Sequence, residues 1–273
     1  MAKKHKNRPS TAAAAPAAAP AKRGRRLAEV KRETLKDRIY LEVRHALQAG
    51  TFEPGEAITV KLLEEELGAG AMPIRQSLQR LVAEGALLNL PSGRVRVPLV
   101  TAEEFDEIKE IRLRLEGLAA QRAAVQMDDG ALARIRGHYD RLTALLATKF
   151  NPAEVVACNY RFHFAIYEAA QARQLLAIID SLWLRVSPLL VIPFKQTGRP
   201  RSEYAAIHEQ THSRLLEALA ERDGRGAEAT LREIILASAA WYHRHHEFAA
   251  PEGSSGRAPG NARAERRVRA AAS

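Results

Sequence analysis

The sequence predicts a mainly α protein: an N-terminal winged helix-turn-helix domain followed by an all-α six-helix bundle. Two stretches carry that prediction. Residues 62–97 read as a short helix, a glycine break, a second helix and two β-prone runs around a tight turn. Residues 102–248 show only helical periodicity, cut at five polar, glycine or proline breaks.

In the first domain, residues 34–49 place Leu35, Ile39, Val43 and Leu47 on one helix face, with Gly50 as the stop. Phe52-Glu53-Pro54-Gly55-Glu56 forms a turn, and residues 57–60 a brief extended piece. Leu62, Leu63 and Leu67 mark the apolar side of the next helix, and Gly68 to Gly70 break it. Pro73 is tolerated in the first turn of a new helix. From there Ile74, Leu78, Leu81 and Val82 make a buried stripe, and Arg75, Gln76, Gln79 and Arg80 fall outside it. Gly85 caps that helix in a left-handed conformation. Residues 87–90 and 94–97 are the wing strands, joined by the turn Pro91-Ser92-Gly93.

Thr101-Ala102-Glu103-Glu104 is a capping box that opens the bundle. The helical segments run over 102–126, 129–148, 152–171, 173–192, 201–222 and 225–247, which sets a second domain at 101–248 after a first at 34–98.

The chain of 273 residues has room for one small and one medium core, and 46% of it is hydrophobic. The net charge of +10 is unevenly placed. Residues 1–33 hold ten Lys and Arg against two Glu, and residues 249–273 five Arg against two Glu, so the middle is near neutral. Both ends read as unfolded segments, since Ala/Pro-rich and Gly/Ser/Arg-rich stretches bury too little to fold alone. Alanines interrupted by prolines also make a poor secretory signal. The basic ends serve either as salt-sensitive DNA arms or as inert solvated tails. A lone Cys158 excludes an intramolecular disulfide and fits core packing in a reducing cytoplasm. No apolar run approaches the roughly 20 residues needed to span a bilayer, so no membrane partner is expected.

A helix pair with a polar second helix is the DNA-reading arrangement, in which that helix enters the major groove. There an arginine grips a guanine edge with two hydrogen bonds, and a glutamine an adenine edge. Arg75, Gln76, Gln79 and Arg80 are therefore the candidate base and backbone contacts, with Ser92, Gly93 and Arg94 at the wing tip on phosphate or in the minor groove. The competing reading is a helical hairpin with a merely solvated polar face. No glycine-rich phosphate loop, Gly-x-Ser-x-Gly elbow or His-Glu-x-x-His pair is present, so no enzyme is expected.

Residues 35–97 resemble the winged-helix domain of GntR-family bacterial transcription regulators. The matching residues are Pro54-Gly55-Glu56, Leu67-Gly68, Pro73-Ile74-Arg75, Leu78, Arg80-Leu81, Glu84-Gly85 and Gly93. Two departures stand out. Where the family has Ser-Arg-Thr before the proline, this chain has Gly70-Ala71-Met72, which removes a hydroxyl cap and a DNA-contacting arginine. The family's Glu-Arg pair in the preceding helix is Val60-Lys61, and Lys61 meets a phosphate without arginine's two-pronged geometry. The resemblance thus implies a DNA binder with an altered contact set.

Residues 102–240 resemble the FCD effector domain of the FadR-type branch, with a helix count like the VanR-type subgroup. The matching residues are Arg112, Leu115-Glu116, Phe162-His163, His212, Leu216, Ala218-Leu219, Asp223 and Ala227. Many relatives hold a divalent metal such as zinc, and a small carboxylate on it, with an aspartate and three histidines. Those positions here are Asn159, His163, His212 and Ile234. Isoleucine offers no lone pair and asparagine is a weak neutral ligand, so His163 and His212 remain as an incomplete metal set. His208, one turn before His212, is expected on the surface, although a rearranged site with His163 and His212 is conceivable. His243, His245 and His246 are expected to be solvated. An effector pocket without metal would use Arg112, Asn159, His163 and His212, unless Arg112 is taken by Glu116 one turn away, and Arg185 near Trp183 is a further inward candidate.

Together these readings predict a cytoplasmic, homodimeric regulator that binds double-stranded DNA and answers to a small organic acid, most simply as a repressor. The alternatives are a non-specific DNA-binding protein that uses its basic tails and keeps a vestigial pocket, and, remotely, a metal-dependent all-α enzyme.

Overall fold

The computed structural model describes residues 34–148 and 151–250. The basic arm expected over 1–33 and the tail expected over 249–273 lie outside the described residues, except Ala249 and Ala250, and Ala249 N–H donates to the Val100 carbonyl at 3.2 Å.

The winged domain begins with α1, Leu35–Gln48. Thr34 and Asp37 close a reciprocal capping box at its start, and Ile39, Val43 and Leu47 bury its inner face. Strand β1 is Ala57–Ile58, α2 is Val60–Leu67 with Thr59 as N-cap, and α3 is Ala71–Ala83. Gly68 ends α2 at φ +61, the left-handed angle for which the absence of a Cβ suits it. Strands β2, Leu88–Asn89, and β3, Val95–Arg96, form the wing. They are shorter than the four-residue runs expected. The sheet instead gains a third strand: the order is β1-β3-β2, antiparallel, with Ile58 opposite Val95. The extended piece before α2 thereby pairs with β3 instead of running free.

The bundle comprises α4 (Ala102–Gln126), α5 (Asp129–Leu146), α6 (Pro152–Ala169), α7 (Arg173–Leu190), α8 (Ile192–Lys195), α9 (Arg199–Ala220) and α10 (Gly224–His245). The six long helices are those expected, and Thr101 and Glu104 form the expected capping box. The one-turn α8 is a departure, since the helix expected over 173–192 ends at the residue where α8 begins. Pro193 explains the break, because it has no N–H to offer the carbonyl of Leu189. The Tyr242 hydroxyl donates to that carbonyl instead, at 2.9 Å. Ala119, Ala120, Ala123 and Ala124 give α4 a buried small-residue face, and α10 packs closely enough that a Cβ on Gly224 would meet the Gln121 carbonyl at 3.0 Å.

One further expectation is corrected. The stretch Arg173–Lys195 is long and apolar enough, by composition, to cross a bilayer. Ile178 is exposed, but the larger apolar side chains of the stretch pack within the protein. Ile179 and Trp183 lie in the main bundle core, Leu189 and Val191 in a second bundle core, and Leu184 in the core of the winged domain with Leu47, Ile74 and Leu81. Cys158 is buried in the second bundle core, as core packing predicts.

Candidate functional site

Helix α3 has two faces. Ile74, Ser77, Leu78 and Leu81 are buried, and Ser77 Oγ donates to the Lys36 carbonyl at 2.7 Å, fixing α3 against α1. Arg75, Gln76, Gln79 and Arg80 are exposed. The start of α3 has no side-chain cap, because Gly70 stands at the N-cap. Gln79 donates from Nε2 to Asn89 Oδ1 at 3.3 Å, tying helix to wing. Lys61 is exposed near Glu65 at 3.8 Å. Ser92, Gly93 and Arg94 are exposed at the wing tip, where Arg94 Nε donates to Ser92 Oγ at 3.1 Å.

Arg80 stands apart from the others. Its guanidinium lies 3.6 Å from the Tyr40 ring centre, and its Nε donates to Glu84 Oε1 at 3.1 Å. Tyr40 in turn donates to Glu84 Oε2 at 2.7 Å. Arg80 thus braces α3 on α1, while Arg75 and Gln76 are exposed.

The second site is a cavity in the bundle. Its volume is about 630 Å³ counted to the open mouth. It therefore takes a few waters or a small ligand without rearrangement. Arg112, Asn159, His163 and His212 all line it, as do Lys109, Glu116, Trp183 and His208.

Glu116 sits at its base with no exposed side-chain surface. It accepts from Arg112 Nε at 2.6 Å, Trp183 Nε1 at 3.0 Å and the Tyr167 hydroxyl at 2.5 Å. A buried carboxylate needs such a set of donors. Burial works against the Arg112 charge, and the Glu116 carboxylate more than offsets it, holding the guanidinium above its ordinary pKa. Of the two readings of Arg112, the pair with Glu116 is present, and Arg112 still faces the cavity.

The histidines form a layer beside this pair. His212 Nδ1 lies 2.9 Å from the His208 carbonyl, and since a carbonyl only accepts, His212 donates there. Its Nε2 is then an acceptor, 3.2 Å from His163 Nε2. His208 is not a surface residue: it is buried, stacked on His212 with centroids 3.6 Å apart, and its Nε2 lies 3.2 Å from Asn159 Oδ1. The four-residue spacing to His212 was the available signal, because it puts both rings on one helix face. Burial lowers the pKa of His208 to about 4. Burial first, then His208 and Arg112 nearby, holds His163 well below its usual value. Burial, then the two neighbouring imidazoles, does the same for His212. All three are neutral at pH 7.

Other expectations are corrected. Arg185 is exposed and lies against Gly85 of the winged domain, away from the cavity. His243 and His245 are not merely solvated: His243 Nε2 lies 2.9 Å from Asp106 Oδ1 and His245 Nε2 3.1 Å from Glu203 Oε2, fastening the end of α10 to α4 and α9. Glu116, Tyr167 and Trp183 were not foreseen as one hydrogen-bonded unit, since their positions 51 and 67 residues apart in pairs with Glu116 leave no local pattern.

The residues do not fit a resident metal. Ile234 offers no donor atom, and Asn159 Oδ1 already faces His208. Among the described residues no group of three or more His, Cys, Asp or Glu is placed to hold a metal ion.

Comparison with known proteins gives this geometry a family. Residues 35–97 match the model of bacterial regulatory proteins of the gntR family, and residues 107–237 match the FCD domain. The HTH-type transcriptional regulator McbR of Escherichia coli K12 is 28% identical over 207 residues, covering 76% of this chain and 92% of that protein. The HTH-type transcriptional repressor GlaR of the same organism is 24% identical, over 72% of this chain and 90% of its own. The solved structure of E. coli McbR/YncC superposes with a TM-score of 0.69, covering 78% of this chain and 99% of that one. A putative GntR regulator from Rhodococcus sp. RHA1, 18% identical, shares the fold with a TM-score of 0.64 over 78% of this chain and 99% of that one. With a helix-turn-helix and wing in the first matched region and a partly open cavity in the second, the chain belongs to the GntR family, as a DNA-binding transcription regulator that carries an FCD effector domain.

Proposed function

We propose that this regulator is a cytoplasmic homodimeric repressor, with no catalytic activity, that releases or tightens on its operator when a small organic acid enters the bundle. The observation that carries the reading of DNA is the face of α3. Arg75 and Gln76 are exposed side by side next to an exposed wing tip, while the opposite face is buried. In this reading residues 34–98 are the DNA-binding head, with Lys61, Arg75, Gln76, Gln79, Ser92, Gly93 and Arg94 at the duplex. Residues 101–248 bind effector and dimerise, and the basic segments 1–33 and 249–273 add sequence-independent affinity. A symmetric dimer sets two half-sites about one helical turn apart or closer.

The anionic effector is supported by the lining, whose cations are Lys109, paired with Asp106 at 2.6 Å, and Arg112, paired with Glu116, the one carboxylate among the lining residues. Asn159, His163 and His212 supply neutral hydrogen-bonding groups around it. Repression is supported by a relative that carries that name. The effector alters DNA affinity only through its differential affinity for the two arrangements of the dimer.

The test is selection of genomic fragments by the full-length protein at physiological salt, with Arg75→Ala alongside. One palindromic site, recovered by the wild type and lost by the variant, is the expected result. Equal recovery of all fragments by both proteins would leave only the basic segments as DNA-binding elements.

A further inference from the structure

The contacts assigned above leave the leading end of α3 unused. Met72, the second residue of that helix, has 67% of its surface exposed. Nothing covers it locally, since Gly70 has no side chain and Ala71 only a methyl group. Met72, Arg75, Gln76 and Gln79 follow the three-and-four spacing that places side chains in one row along a helix. Their row lies opposite the buried Ile74, Leu78 and Leu81. A large apolar side chain thus stands first in a row of otherwise polar, exposed ones, at the end of the helix that reaches base edges in helix-turn-helix docking.

The chemistry of the major groove names what such a side chain meets. Its base edges present donors, acceptors and one apolar group, the C5-methyl of thymine. A thioether neither donates nor usefully accepts a hydrogen bond, so it does not select guanine or adenine. It has three rotatable bonds and a polarizable sulfur, which let it fit closely around a methyl. Burying it against that methyl removes apolar surface of both partners from water.

We propose that Met72 is a specificity-determining residue of the operator contact, packing on the 5-methyl group of a thymine adjacent to the base pairs that Arg75 and Gln76 read. The inference rests on the proposal that α3 enters the major groove, and it adds a methyl-bearing position to the operator in each half-site.

The experiment uses the full-length protein and the site recovered by genomic selection. Each thymine of the site is replaced singly by deoxyuridine, which removes the methyl and leaves base pairing intact. Affinity is measured for the wild type, Met72→Ala and Met72→Leu. Because Met72 is exposed, neither substitution disturbs the core. At one thymine per half-site, deoxyuridine weakens wild-type binding about fourfold, the worth of one buried methyl group. Met72→Ala binds the thymine and uracil sites equally there, and Met72→Leu keeps the discrimination. The proposal is overturned if every uracil site binds the wild type as tightly as its thymine counterpart, or if Met72→Ala discriminates as the wild type does. Failure to recover any site with the wild type overturns groove reading by α3 and this proposal with it, whereas the uracil outcomes overturn this proposal alone.

Discussion

Arg44 of α1 and Asp180 of α7 meet at 2.6 Å, the first helix of the winged domain against a central helix of the bundle. Around them Gln48 Nε2 donates to Asp180 Oδ1 at 3.1 Å and to the Tyr160 hydroxyl at 3.2 Å, and that hydroxyl donates to Asp180 at 3.2 Å. Burial raises the Tyr160 pKa, so it remains a donor. Three residues further along α7, Trp183 donates to Glu116 at the base of the cavity. One helix therefore holds the reading head with Asp180 and the pocket with Trp183.

Asp180→Ala is expected to loosen the head from the bundle. The pair is partly buried, with side-chain exposures of 13% and 27%, so we expect a loss of about 1–3 kcal/mol, below the value for a fully buried pair. Calorimetry would show a melting temperature lower by about 2–12 °C. Gly50→Ala should act alike, because Gly50 has φ +65 and its added Cβ would lie 2.8 Å from the Val191 Cβ. An unchanged melting profile in both variants would refute a stabilising contact here.

Glu116→Ala removes a carboxylate that satisfies Arg112, Tyr167 and Trp183 at once. Leaving the guanidinium without its partner in the interior should cost about 3–5 kcal/mol. Urea denaturation measures it, and a loss below about 1 kcal/mol would contradict the role assigned to the pair.

Acid should destabilise the bundle through its histidines. His163, His208 and His212 are neutral in the fold with lowered pKa values, whereas in the unfolded chain each titrates near 6.5. Below that pH the unfolded chain takes up the protons and the fold does not. Each histidine then removes about 1.4 kcal/mol of stability per pH unit. For His208 the loss ends near pH 4, where the fold takes up its proton as well. Arg112, facing the same cavity, adds to the resistance of His163. Denaturation midpoints should be flat from these groups above about pH 6.5 and fall towards pH 5. A profile equally steep in a His208→Asn variant would exclude His208 as a contributor.

Arg75 and Arg80 should separate in mutagenesis. Arg75→Ala is expected to lose about 1–3 kcal/mol of discrimination against the wrong base. Arg80→Ala removes a ring contact with Tyr40 and a bond to Glu84, so about 0.5–1 kcal/mol of stability should go instead, with the preferred sequence unchanged. Fragment selection and thermal melting of both variants decide it.

The elements were legible because each has a local cause. Gly68 and Gly85, the Thr101 capping box and the leucine periodicity act within a few residues, so helix ends follow from neighbours in the chain. The cavity was legible in part. Arg112, Asn159, His163 and His212 do line it, and resemblance had assigned them there. Its organising pair with Trp183 and the stacking of His208 on His212 depend on how α4, α6, α7 and α9 meet, which periodicity along one helix does not encode. The packing of Arg80 on Tyr40 is not legible for the same reason: the ring that receives it belongs to α1.

Helix α7 places Trp183 in one hydrophobic core, Leu184 in a second and Leu189 in a third. Consecutive side chains on one rod therefore belong to separate packing units. A rod shared in this way makes the head and the bundle unfold as one cooperative body, since neither can melt without stripping a neighbour of its packing. It also restrains recombination: a head taken from another regulator arrives without the hollow that fits Leu184, and a foreign bundle arrives without Leu184 to fill the hollow left in this head.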